Sequence, residues 1–351
     1  MIVGLETLLD GEPDPGLTEL RALLASLLDL PGGGELVGQR RIKDSVYRLS
    51  FQVEGQARSI VVKGMSPEVA WRNQLVLTRW LPSASLGYLG PTLLGVAAAS
   101  SGDFVWHVYD DLGQLTLDVA SPDPSDVERA VGGIAELHTR FAGHGRLGEC
   151  RLWGGDLGVP FVAASLRDAV AALRSAMPSV LALDGTLSGV CDRLLRRLTG
   201  LHEELPRRAR ELVEFGGTET LLHGDLWRQN IALLMVRGVR VVRLVDWDHA
   251  GVGPIAYDLS TLLMRFPAAD RPEILASYRR AVEPAGWHLA DAGRLNAVFD
   301  TTERARIANR VIWPAIALLD GDSAWASEAL PEIDRWFDEL APVLPVGERT
   351  R

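Results

Sequence analysis

The sequence predicts an α+β protein of two lobes, a small antiparallel-sheet lobe followed by a larger, mainly helical one. Three observations point there. At 351 residues the chain is too long for a minimal domain and can bury a sizeable core, as one large domain or two lobes. Its first third alternates apolar and polar residues at the strand period, whereas beyond about residue 110 apolar residues recur at helical spacing. Strands gathered at one end and helices at the other indicate segregated layers rather than repeated β-α units. The expected division is residues 1–107, a linker over 108–113, and residues 114–351.

The elements follow in order. "LTELRALLASLLDL", residues 17–30, spaces leucines for an amphipathic helix and is stopped by Pro31 and three glycines. "VYRLSFQV" and "SIVVK" alternate on either side of Glu54-Gly55-Gln56, so they predict a hairpin ending on Lys63. Ser66 followed by Pro67 is a helix-start signal for residues 66–81. Two short strands follow, the second at about 104–109, running into Asp110-Asp111-Leu112-Gly113. Downstream, "DVERAVGGIAELHTRFAGHG", "FVAASLRDAVAALRSAM" and "VCDRLLRRLTGLHEEL" read as long helices, with one strand pair around 231–245 among them. No internal repeat is present.

Composition narrows the function classes. Hydrophobic residues at 47% and charged residues at 23% belong to a globular chain that folds throughout. A net charge of −10 argues against a general nucleic-acid binder and mildly favours cationic ligands, although ordinary solubility explains it as well. Cys150 and Cys191 are too few for a disulfide framework and lack zinc-site spacing, so they read as reduced core thiols. The start "MIVGLETLLDGEPDPG" has an acid where a signal peptide needs a base, and no apolar run is long enough to span a membrane. The expectation is a cytoplasmic protein with no membrane or nucleic-acid partner.

The chemistry concentrates in "LLHGDLWRQN", residues 221–230. After two apolar residues the chain turns at His223-Gly224 and exposes Asp225, a carboxylate suited to a general base, and Asn230, an amide suited to a hard cation. The following "IALLMVRGVRVVRLVDWDHAGVGP" predicts a hairpin turning at Arg237-Gly238, which returns Asp246 toward Asn230 and brings Asp248 along. Lys63, at a strand end, offers a cation for phosphate. A base, two metal-ligand candidates and a phosphate-binding cation together describe phosphoryl transfer.

"HGDLWRQN" followed by "LVDWDHAGVGPIAYDL" resembles the aminoglycoside phosphotransferase and choline kinase family, relatives of the protein kinases. Lys63 after the hairpin, "VYDDLG" at the linker and "AELHTRF" in the next helix extend the resemblance over most of the chain. It implies a protein-kinase-like fold and an ATP- and Mg²⁺-dependent kinase acting on a small-molecule hydroxyl. By that resemblance Asp225 aligns the acceptor, Asn230 and Asp246 hold magnesium, and Lys63 meets the α- and β-phosphates. Backbone near Tyr109 and Asp110 would hold the adenine edge, and His223 would hold its loop by hydrogen bonding. Acceptors in this family include aminoglycosides, choline, amino acids such as homoserine, and sugars. The rivals are a nucleotide-binding pseudokinase and a metal-dependent phosphohydrolase.

The sequence departs from the pattern twice. The helix glutamate that usually anchors the strand lysine is replaced by Asn73 or Gln74, with Glu68 one or two turns early. The nucleotide-covering hairpin lacks a Gly-rich loop, leaving Ser45 and nearby amides as the phosphate contacts. Other residues have plainer readings beside the functional one. Asp248 is a second metal contact or a carboxylate ordering its own turn. Asp258 is a helix cap or loop anchor; His138 and His249 are satisfied core or surface residues. Most of the ten tryptophans are core, and "WGGDLG", residues 153–158, is a candidate lid. Arg304, Arg306 and Arg310, in a helical stretch over 301–322, form either a solvated face or an anion-binding one.

Overall fold

The computed structural model describes residues 2–12, 14–28, 33–113, 116–181 and 185–345. The chain divides into two compact units, Met1–Leu117 with Gln229–Ala250, and Asp118–Arg228 with Gly251–Arg351.

In chain order, the first unit opens with β1 (Ile2–Val3) and α1 (Leu17–Leu27), then the meander β2 (Gly34–Lys43), β3 (Val46–Val53) and β4 (Gln56–Met65). The helix α2 (Pro67–Leu75) continues through a π turn, Val76–Trp80, into α3 (Leu81–Ser83), and β5 (Leu93–Ala98) and β6 (Val105–Asp110) complete the sheet. The strand order is β1-β2-β3-β4-β6-β5, with only β1–β2 parallel.

Alternation along the strands decides which side chains meet. Leu49, Phe51, Ile60, Val62, Trp106 and Val108 pack with Leu20 and Leu24 of α1 in one buried cluster. Burying each such side chain is worth roughly 1.5–3 kcal/mol, and a one-residue slip would turn the whole set outward, so the register is held firmly. Val46 pairs with Lys63 and Lys63 with His107; Arg48 pairs with Val61 and Val61 with Tyr109. Those residues therefore share the opposite face.

The second unit begins with α4 (Pro124–Phe141), whose N-cap Asp123 accepts from Ser125 N–H at 2.8 Å. It continues with α5 (Leu147–Gly154), α6 (Val159–Leu181), α7 (Gly185–Phe215) and β7 (Glu219–Leu222). The chain then returns to the first unit for the hairpin β8 (Ile231–Val236) and β9 (Val239–Leu244), turning at Arg237 and Gly238 with φ 51° and 80°. The remainder, β10 (Gly251–Pro254), α8 (Ala256–Met264), α9 (Arg271–Val282), α10 (Ala292–Leu319) and α11 (Ser323–Glu339), belongs to the second unit, where α10 packs on α6, α7, α8 and α11. No helix among the described residues is long and apolar enough to cross a membrane.

Several expectations need correction. The first helix ends at Leu27, and the stop at Pro31 lies outside the described residues. Ser66 occupies the N-cap position, but its side chain makes no cap bond. A second strand pair, β7 with β10, joins the expected hairpin; at four residues each, and with Gly251-Val252-Gly253-Pro254 on one side, neither strand shows alternation. The stretch "WGGDLG" is not free to act as a lid. Asp156 bridges Val252, Leu157 N–H donates to Val252 O at 2.7 Å, and Arg151 ties Asp156 and Glu219 together. Only Trp80, Trp106 and Trp247 are buried, whereas Trp71, Trp153, Trp313 and Trp325 are exposed: a ring this large with one polar edge is rarely enclosed completely. Cys150 and Cys191 are free, and burial pushes their thiols up to about 12 and about 11.

Candidate active site

A cavity of about 510 Å³ opens on the polar face of the first unit's sheet, within the size range of small-molecule sites. Val46, Val61 and Ala232 give it apolar walls; Lys43, Lys63, Tyr109, Asp110, Asn230 and Asp246 give it polar ones. Residues from β2, β4, β6 and the β8–β9 hairpin thus converge although up to 203 positions separate them.

Asp246 follows β9 with φ 66°, a left-handed conformation that aspartate tolerates better than most residues. The turn behind it is held by Trp247, fully buried, whose Nε1–H donates to Leu244 O at 2.8 Å. The carboxylate is shared between two lysines: Lys63 Nζ meets Oδ1 at 2.5 Å and Lys43 Nζ meets Oδ2 at 2.7 Å. Burial acts to raise the Asp246 carboxyl, but Lys63 and Lys43 overcome it and hold the group well below the usual carboxylate range. Burial opposes the Lys63 charge in turn, and Asp246 with Asp248 more than offsets it. Lys43 has no signal in the sequence beyond its type, because its pairing depends on the register shift between Arg41 and Lys43 in β2.

The structure answers what anchors Lys63. Glu68, 83% exposed, pairs with Arg72 at 3.3 Å and not with Lys63. Asp248 takes the part instead, its Oδ1 lying 2.6 Å from Lys63 Nζ. Asp248 is itself held: buried Asn73 donates Nδ2–H to Oδ1 at 2.8 Å, and Arg72 donates to its backbone carbonyl. An amide at the helix position thus orients a carboxylate borrowed from the hairpin. Behind Lys63, His107 is fully buried with Nδ1 2.8 Å from Tyr109 Oη, and burial with the Lys63 charge lowers its pKa to about 4. At the end of β6, Asp110 N–H donates to Thr92 O, and Arg48 clamps Asp111 with contacts of 2.7 and 2.9 Å. Ser45 lies in the β2–β3 turn with φ 51°, its hydroxyl donating to Asp14.

Within the second unit the loop carrying Asp225 is fixed from below. Asp258, fully buried on α8, accepts from His223 N–H at 2.8 Å and Gly224 N–H at 2.9 Å, with His138 Nε2 at 3.3 Å. His138 is in turn held by Tyr278 Oη at 2.8 Å, and its carbonyl accepts from Thr220. Burial alone would raise Asp258, and the hydrogen bond and charge of His138 with those of His223 hold it below its usual value. Asp258 is the loop anchor that the sequence offered as one of two readings; His138 is a satisfied core residue that also positions the loop. His249 is exposed.

Asn230 is buried and lines the same cavity as Asp246. Among the described residues no group of three or more His, Cys, Asp or Glu forms a metal cluster. An amide oxygen and a carboxylate still suit magnesium, which takes one or two protein ligands and completes its shell with phosphate and water. The residues fit that ion.

A strand-rich unit with a lysine-bearing cavity and a helical unit with an anchored His-Gly-Asp loop define a protein-kinase-like α+β enzyme. The chain belongs to the phosphotransferase enzyme family, whose model matches residues 39–293 and so spans Lys63, Asp225, Asn230 and Asp246. Solved structures share the fold. A spectinomycin phosphotransferase in complex with ADP and spectinomycin has a TM-score of 0.56 at 12% identity, over 95% of this chain and 97% of that one. An ethanolamine kinase of Plasmodium vivax gives 0.55 at 12% over 84% and 81%, and a macrolide 2′-phosphotransferase of Brachybacterium faecium gives 0.52 at 18% over 90% and 98%. No curated protein sequence matches the chain.

Proposed function

We propose that the protein transfers the γ-phosphoryl group of ATP to a hydroxyl of a small molecule with the help of magnesium. The observation that carries this is the shared lining of one cavity by Lys63, Asn230 and Asp246, a phosphate-seeking cation beside two hard-oxygen donors. The complex of the spectinomycin phosphotransferase with ADP supports a nucleotide there. Asn230 and Asp246 would hold the ion, which supplies charge neutralisation at the phosphate oxygens when bound.

The chain's own residues do the remainder. Lys63, kept charged and oriented by Asp248, turns its ammonium to the nucleotide phosphates. Lys43 must leave Asp246 Oδ2 for that oxygen to become a ligand. Asp225 accepts the hydrogen bond of the acceptor hydroxyl and directs its oxygen in line with the γ-phosphorus. The new O–P bond forms as the bond to the β,γ-bridging oxygen breaks, ADP departs, and the hydroxyl proton passes toward Asp225. Positioning and electrostatics supply the acceleration, and no covalent enzyme intermediate is needed. A cytoplasmic setting, where ATP is supplied, fits this reading.

Asp225→Asn tests the assignment. It should retain Mg-ATP affinity by calorimetry and lose about 10²–10⁴-fold in transfer rate. Near-wild-type turnover removes Asp225 from the role. Recovery of free phosphate in place of a phosphorylated acceptor identifies a hydrolase, and binding without ATP consumption identifies a pseudokinase.

A further inference from the structure

The side chains gathered around the Asp225 loop within the second unit bear on the acceptor. Trp227, two residues beyond Asp225, folds back so that its N–H donates to Asp225 O at 2.9 Å. Over its ring, 3.5 Å from the centroid, lies the guanidinium of Arg265 at the C-terminal end of α8. A stacked guanidinium is held flat by the ring while its N–H edge stays available. Among the described residues, no hydrogen-bond acceptor meets the Arg265 side chain, and the residue is exposed.

Two further arginines lie in the field of Arg265. Arg306 and Arg310, one turn apart on α10, share the electrostatic environment of Arg265 with Glu303 and Asp225. Glu303 is already engaged, accepting from Arg306 at 2.8 Å and Ser260 at 2.6 Å. Arg306 is fixed besides by Tyr257, whose ring lies 3.7 Å from its guanidinium and whose carbonyl accepts at 2.6 Å. Arg306 is thus spent on Glu303 and Tyr257, with buried Asp258 also in its field, and Arg310 lies over the Trp336 ring at 5.3 Å, so Arg265 is the cation of this group that keeps its donors for a ligand. An exposed guanidinium seated on the Asp225 loop repels a cationic acceptor and attracts an anionic one. The chain's overall charge of −10 gives no guide here, because recognition at contact distance depends on the few groups present.

We infer that the acceptor is an anion, a hydroxylated carboxylate or phosphate ester whose oxyanion is bound by the Arg265 guanidinium while its hydroxyl is presented to Asp225. The inference rests on the role of Asp225 proposed above. A planar fork with unpaired donors suits two oxyanion oxygens at once, which a neutral hydroxyl or an ammonium cannot supply.

The test uses the whole chain and four small probes: glycerate and glycerol 3-phosphate as anions, glycerol as the neutral control, and choline as the cation. Binding is followed through the ¹⁵N-indole resonance of Trp227, assigned with Trp227→Phe. The expected result is a saturable shift with one or both anions at least tenfold tighter than with glycerol or choline. Arg265→Gln should abolish it, and Arg265→Lys should weaken it severalfold. Glycerate against glycerol 3-phosphate then separates a carboxylate from a phosphate ester. Choline or glycerol binding as tightly as the anions, no response to any probe, or an anion response unchanged in Arg265→Gln overturns the inference. Failure of the phosphotransferase reading has a different signature, the absence of Mg-ATP binding and consumption in the unmodified protein.

Discussion

The two carboxylates that organise this enzyme, Asp246 and Asp258, are handled in opposite ways. Asp246 meets two lysine side chains from distant strands, each reaching one oxygen from the end of a flexible stem. Asp258 meets two successive backbone N–H groups and a buried histidine, with no exposed surface at all. The first arrangement can be exchanged: an ammonium that leaves a carboxylate for a phosphate keeps a counter-charge throughout. The second cannot, because a backbone N–H denied its acceptor in a dry interior has no alternative. On the proposed mechanism the partners that change during turnover are side chains, and the partners that hold geometry are backbone.

Replacing the permanent anchor should have the largest effect. Asp258→Ala leaves His223 N–H, Gly224 N–H and His138 without their shared acceptor, so a loss of roughly 3–5 kcal/mol is expected, with transfer abolished. Chemical denaturation measures it; a loss under 1 kcal/mol would mean that the loop holds itself. Next comes the buried histidine behind the exchangeable site. His107 has a pKa of about 4 when folded against an ordinary value of 6.5, so the unfolded chain takes the proton first. Its contribution is complete above pH 6.5 and is lost as pH falls toward 4, by on the order of 3 kcal/mol. His107→Gln should flatten that part of the stability–pH curve, and an unchanged slope assigns it to other groups.

Smaller effects probe the lysine anchor. Asn73→Leu removes the amide that holds Asp248, so Mg-ATP affinity should weaken severalfold and stability fall by about 1–2 kcal/mol. Affinity equal to the parent's would mean Asp248 is held well enough by Arg72. Glu68→Gln closes the series. Its carboxylate is exposed and, among the described residues, pairs with Arg72, so stability should change by at most about 0.5 kcal/mol and nucleotide affinity by less than twofold. A tenfold loss would restore Glu68 as the partner of Lys63.

Much of this was legible in the chain. Apolar alternation placed β3, β4 and the β8–β9 hairpin, and Gly238 marked the turn that returns Asp246 to Asn230. The spacing of Asn230 and Asp246 pointed to the cavity that both residues line. Lys43 on Asp246, Asn73 on Asp248 and Arg265 over Trp227 were not legible. Nor was the pinning of residues 153–158, whose glycines suggested a movable loop until Val252 supplied the backbone partner.

Sequence by itself determined the two-part α+β architecture, the strand face that carries Lys63, and the hairpin that returns Asp246 to Asn230. These follow from periodicity and turn chemistry, which act between neighbours a few residues apart. Tertiary structure alone decided which carboxylate orients Lys63, which amides bind Asp258, and which arginine stacks on Trp227 beside the Asp225 loop. Such pairings join residues far apart in the chain, and they are selected only when packing and strand register bring two charges or a donor and an acceptor within about 3 Å.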